Sequence, residues 1–125
     1  MFCSAQGRLE IQDAHYSTLG YINSDGEVDD SHYATKFFFL KDGTVEDAHY
    51  SALGYIRKDG EVQDEHYSIL GYINESGEVQ DSHYAVLGYI RADGTVEDAH
   101  YSTIGYAKDV NKSVAAALFF FFHLR

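Results

Sequence analysis

The chain has no tryptophan and no proline, one methionine, and one cysteine, Cys3, so an internal disulfide framework is excluded. Cations are scarce as well. Nine Lys and Arg stand against 20 Asp and Glu, a net charge of -11 that repels phosphate backbones and anionic lipid, so no nucleic-acid partner is expected. No apolar run approaches the roughly 20 residues a membrane-spanning helix needs. The longest, Val114 to Phe122, is nine residues, and no membrane span is expected. Also missing are a nucleophile elbow, a phosphate-cradling glycine loop, and an acid and base set apart from the rest. The chain therefore reads as a non-enzyme with no cofactor.

What is present is aromatic and repetitive. Eleven Tyr, eight Phe and eleven Gly in 125 residues describe a strand-rich single domain whose turns are made by glycine. His-Tyr pairs begin at His15, His32, His49, His66, His83 and His100, a spacing of seventeen without insertion, and Asp lies two residues before each His. Gly-Tyr dipeptides fall at Gly20, Gly54, Gly71, Gly88 and Gly105. The missing member is replaced by Phe37-Phe38 within Lys36-Phe37-Phe38-Phe39-Leu40.

Each unit reads as a β-hairpin. Leu19 to Ile22 is a first strand, Asn23-Ser24-Asp25-Gly26 a type I turn closed by a left-handed glycine, and Glu27 to Asp30 a second strand. Ile22 then faces Val28, while Tyr21 and Leu19 point to the other face. Hairpins apolar on both faces are expected to be sandwiched between their neighbours. Arg8 to Asp13 resembles a second strand without its first, and Ile104 to Ala107 a first strand without its second. Pairing these halves closes the array into a ring. Val114-Ala115-Ala116-Ala117-Leu118 followed by Phe119 to Phe122 predicts a turn or short helix running into an extended segment, buried at the hub or base of the ring beside Phe37 to Phe39. The expected division is a terminal flank at 1–6, a hairpin-repeat domain at 7–109, and an Ala/Phe-rich segment at 110–125 packed on it.

The tandem pattern Gly-Tyr-Ile-x-x-Asp-Gly-x-Val-x-Asp-x-x-Tyr-Ser-x-Leu/Ile, finished by Gly-Tyr-Ala-Lys-Asp-Val and a run of Phe, resembles the bacterial 5-fold beta-flower proteins over about residues 7 to 122. The resemblance implies an all-β flower of hairpin petals, small and often bearing a signal peptide, and implies no activity. Six units are counted here where the name implies five, so the expected fold is a closed ring of five or six petals.

Three constellations carry candidate chemistry. Asp-x-His on a strand puts carboxylate and imidazole on one face, and Asp64, His66, Asp81 and His83 are the candidate metal ligands; the alternative is an Asp bound to turn amides beside a space-filling His. Asn23-x-Asp25-Gly26 matches the middle of a calcium loop, but Tyr21 and His32 stand where its acidic ends belong, and a hairpin turn explains it better. The repeated Tyr21, Tyr55, Tyr72, Tyr89 and Tyr106 could stack on sugar rings or cage choline, against the alternative that they wall the petals.

The leading reading is a structural or binding module without catalysis. One alternative is self-assembly through Phe37, Phe38 and Phe39 and Phe119, Phe120, Phe121 and Phe122. The other is a glycan or choline binder. Cys3-Ser4-Ala5 has the small-x-small character of a signal-peptidase site, which points to export to the periplasm, cell surface or medium; an ordinary disordered terminus is the alternative.

Overall fold

A computed structural model describes residues 8–122, so the flank at 1–6, with the Cys3-Ser4-Ala5 on which the export expectation rests, lies outside the described residues. The described residues form twelve antiparallel strands in one closed barrel. In chain order they are β1 (Arg8–Asp13), β2 (Thr18–Asn23), β3 (Glu27–Asp30), β4 (Thr35–Phe39), β5 (Thr44–Asp47), β6 (Ala52–Ile56), β7 (Glu61–Asp64), β8 (Ile69–Ile73), β9 (Glu78–Asp81), β10 (Val86–Ile90), β11 (Thr95–Asp98) and β12 (Thr103–Tyr106). The two half-hairpins do close the barrel: β1 pairs with β12 through Gln12 opposite Tyr106 and Asp13 opposite Gly105. Among the described residues no strand edge is left open, which removes the template for edge-to-edge aggregation.

The turns explain why the glycines sit where they do. The Gly26 N–H donates to the Asn23 carbonyl (2.9 Å), Asp25 Oδ1 accepts from the Glu27 N–H (3.0 Å), and Gly26 has φ +95°, the left-handed region glycine enters without strain. Its carbonyl then accepts from the Phe39 N–H of the following unit (2.9 Å), tying each turn to the next.

The hairpins are not sandwiched face to face as their two apolar faces suggested. They pair edge to edge, so one face of every strand lines the lumen and the other faces out. Ile22 does oppose Val28. Leu19, expected beside Tyr21 on the far face, instead packs against the core. The register shifts there by one residue, with Ile11 opposite Gly20 and Gln12 opposite Thr18, and Leu19 is the extra, bulged residue. The same bulge recurs at Lys36, Leu53, Leu70, Leu87 and Ile104. Ile11, Val28, Val45, Val62, Val79 and Val96, seventeen apart, form a fully buried inner girdle.

Eight strands make a barrel whose own side chains fill it; twelve leave a wider lumen. Here a helix fills it. Asn111 caps α1 (Lys112–Ala116) by accepting the Ser113 N–H at 2.8 Å, and α1 runs without a break into a π-helical turn, Ala117–Phe121, with Phe122 N–H bonded to the Ala117 carbonyl at 2.7 Å. The extended segment expected at the phenylalanines is thus helical. Inside a barrel whose strands are all paired, a strand would leave its backbone groups without partners, whereas a helix satisfies its own. Ala115 to Leu118 are buried and Phe119 to Phe122 half-buried.

The phenyl rings account for the π-helical widening. Phe119, Phe120, Phe121 and Phe122 press on Gly105, Gly88, Gly71 and Gly54 in turn, one ring per repeat. Six units stand roughly 60° apart around the barrel, whereas an α-helix advances about 100° per residue. An i→i+5 helix advances less per residue and narrows that mismatch. Phe37, which replaces glycine in the second unit, supplies a ring from the wall and packs on the cluster that includes Leu118.

Candidate functional site

The six Asp-x-His turns share one hydrogen-bond pattern, and only Asp30 adds an ion pair, with Lys36 at 3.9 Å. Asp64 Oδ1 accepts from the His66 N–H (2.8 Å) and the Ser68 N–H (2.9 Å), and Asp81 Oδ1 from His83 (2.8 Å) and Ala85 (3.0 Å). The aspartate oxygen organises the turn, and the imidazoles stand exposed. Among the described residues no three His, Cys, Asp or Glu side chains converge.

Those turns set up a different constellation. The tyrosine after each histidine, Tyr16, Tyr33, Tyr50, Tyr67, Tyr84 and Tyr101, has φ between 68° and 70°. Its N–H donates to the carbonyl of the turn aspartate, as from Tyr67 to Asp64 (3.0 Å). Left-handed backbone in a bulky residue costs of order 1–2 kcal/mol. It turns each ring back onto the outer wall, where it stacks on the aromatic twelve residues before it: Tyr33 on Tyr21, Tyr50 on Phe38, Tyr67 on Tyr55, Tyr84 on Tyr72 and Tyr101 on Tyr89. Tyr16 stacks on Tyr106 across the chain closure. Ring centroids lie 4.6–5.0 Å apart and the planes within 15° of parallel.

The candidate tyrosines Tyr21, Tyr55, Tyr72, Tyr89 and Tyr106 are therefore the inner, half-buried members of these pairs. The outer members are 57–70% exposed. Sequence reasoning missed the outer tyrosines because it treated His-Tyr as one unit; the aspartate three residues earlier, which fixes the turn, was the available signal. Arg8, Arg57 and Arg91 lie over rings at three places, with guanidinium carbons 5.2 Å from Tyr33, 5.4 Å from Tyr55 and 5.2 Å from Tyr89. Arg91 also pairs with Glu97 at 2.7 Å.

Hydroxyl contacts accompany the stacking. The Tyr33 hydroxyl lies 3.5 Å from that of Tyr21, and Tyr89 donates to Tyr101 at 3.3 Å. Hydrogen bonding with Tyr84 and partial loss of hydration push the Tyr72 phenol up to about 12, and the same causes raise Tyr21, Tyr55, Tyr89 and Tyr106. One unit differs: Asp29, where the others carry Gln or Glu, is only 5% exposed and its Oδ1 has no partner among the described residues. Burial and the neighbouring Glu27 raise its pKa.

The family model for the 5-fold beta-flower protein matches residues 8–123. The chain belongs to the 5-fold beta-flower family. No curated protein and no solved structure matches it. In this beta-flower protein the twelve strands follow from six tandem units, five carrying Gly-Tyr and the second carrying Phe37-Phe38. The aromatic belt respects that difference, since Phe38 takes the inner place under Tyr50.

Proposed function

We infer that this beta-flower protein is a non-catalytic binding module, that its ligand-facing surface is the belt of stacked aromatic pairs, and that the ligand is a glycan met at several of the six positions at once. The observation that carries the reading is the six outer tyrosines, each more than half exposed and each held in a left-handed conformation. A stacked pair stabilises by about 0.5–1.5 kcal/mol, which roughly offsets the backbone strain. The outer tyrosines thus add little to folding, and an Asn or Gly would serve the turn better. Flat, exposed phenol faces suit the C–H faces of pyranose rings, and Gln63 and Gln80 on neighbouring outward positions offer partners for hydroxyls. Six weak contacts on one rigid wall gain by multivalency.

Choline is less well served. A quaternary ammonium needs rings set around it, whereas these rings lie parallel and Arg8, Arg57 and Arg91 already take cation positions beside them. Self-assembly through Phe119 to Phe122 has less to draw on, because those rings press on lumen glycines. An extracellular glycan fits the export reading of Cys3-Ser4-Ala5.

The test is a glycan array followed by calorimetry on the wild type and on a Tyr67→Asn/Tyr84→Asn/Tyr101→Asn variant. The expected result is binding of at least one polysaccharide, weakened about tenfold or more in the variant while its thermal midpoint stays within a few degrees. A blank array, or equal affinity in a folded variant, overturns the reading.

A further inference from the structure

The barrel mouth at the Asp-Gly turns is unevenly filled. The lead into α1 lies against the fifth turn, where Lys108–Lys112 runs beside Ile90–Gly94. On the side of the first three turns a cleft of about 550 Å³ remains open, with Asn111, Ser113 and Val114 as its inner wall. That volume is in the range of small-molecule sites.

The lining departs from the repeat. Ile22, Phe39, Ile56 and Val114 give it an apolar patch, and Leu40 extends that patch to the turn tip, where it is 41% exposed. Positions equivalent to Leu40 hold Asn23, Arg57, Asn74, Arg91 and Lys108, and positions equivalent to Phe39 hold Ile or Ala. The same turn is built four times without these two residues, so the fold does not require them, and both fall in this one cleft. The rim adds charge. Asp25 and Asp42 line it, but each uses Oδ1 to accept the N–H two residues on, from Glu27 (3.0 Å) and Thr44 (2.9 Å). Lys41 and Lys58 also line it, and among the described residues neither forms an ion pair. Arg57 lines it too, but its guanidinium is engaged on the outer wall, Nε donating to Gln63 Oε1 at 3.0 Å.

A cleft with one apolar patch and two uncommitted ammonium groups, on a chain of net charge -11, favours an apolar body carrying one negative charge. We propose that this cleft binds a small amphipathic carboxylate, its hydrocarbon against Phe39 and Leu40 and its carboxylate between Lys41 and Lys58. The site is separate from the aromatic belt and does not depend on it.

Decanoate, decanol and decyltrimethylammonium, each below its micellar concentration, are titrated into the ¹⁵N-labelled full chain and followed by amide shifts and calorimetry. The expected result is that decanoate binds tightest and shifts amides of residues 22–26, 39–43 and 113–114. Leu40→Asn, which installs the residue of the first and fourth turns and so keeps the fold, weakens it about tenfold. Lys41→Gln/Lys58→Gln lowers decanoate affinity to that of decanol. Absence of shifts at the cleft, shifts confined to Phe119–Phe122, equal binding of the cationic probe, or unchanged affinity in Leu40→Asn overturns the proposal. The Tyr67/Tyr84/Tyr101 variant reads the belt alone, so failure at one site leaves the other standing.

Discussion

A tyrosine with φ near 68° is an unusual choice for a turn, and here it is made six times. The strain is local and the compensation is local: one aspartate oxygen receives two amides and one ring lies on another. Acid–base behaviour follows from the same contact. A phenol whose pKa is raised in the folded chain holds its proton more tightly than in the unfolded chain. The resulting stability is fully present below pH 10, the ordinary value, and is lost as pH rises through about 12 for Tyr72. Thermal unfolding between pH 9 and 12.5 should show a midpoint that falls steeply above pH 10. Tyr72→Phe, which removes the titrating hydroxyl and keeps the stack, should flatten part of that fall; an unchanged profile would show that the hydroxyl contact is not what titrates.

At the scale of elements, the decisive pairing is between the helix and the wall. A Cβ on Gly71 would collide with the Gln80 carbonyl oxygen and lie 2.8 Å from the Phe121 ring, so Gly71→Ala should destabilise by about 1–3 kcal/mol through overpacking. Leu118→Ala, at 2% exposure, should cost about 2–5 kcal/mol by leaving a cavity. Chemical denaturation of both checks these, and a Gly71→Ala midpoint equal to wild type would mean that both the β9 backbone and the Phe121 ring can give way. The hairpins, their Asp-Gly turns and the closing halves were legible in the sequence because each depends on short-range spacing. The bulge at Leu19 was not, since period-two alternation assumes that no residue is added. The helical state of Phe119–Phe122 was not legible either, because four phenylalanines favour a strand in isolation and only the enclosed lumen, with no unpaired edge to join, reverses that preference. Of the aromatic belt, the inner tyrosines were legible as repeats, but the outer ones depend on the sign of φ, which residue type alone does not reveal. Leu40 was visible as a break in the pattern, while its cleft is a product of where α1 enters.

For the whole molecule, closure makes stability collective. In an open array a terminal unit can fray alone, but here β1 carries both the β12 and the β2 ladders, and Ile11 sits in the buried girdle. Deleting residues 8–13 should abolish cooperative unfolding of the entire chain. Hydrogen exchange that remained protected in β5 to β9 after the deletion would contradict this.

The match of consecutive phenyl rings to consecutive glycines has an evolutionary consequence. Repeat arrays ordinarily lengthen by duplication of a unit, and an open solenoid accepts the extra copy at little cost. In this barrel a seventh unit would enlarge the circumference, pull the wall away from a plug of fixed width and shift the angular step between glycines out of phase with the helix. Adding or removing a unit would therefore cost stability unless the helical plug changed with it, whereas substitution within a unit, as at Phe37–Leu40, leaves the closure intact.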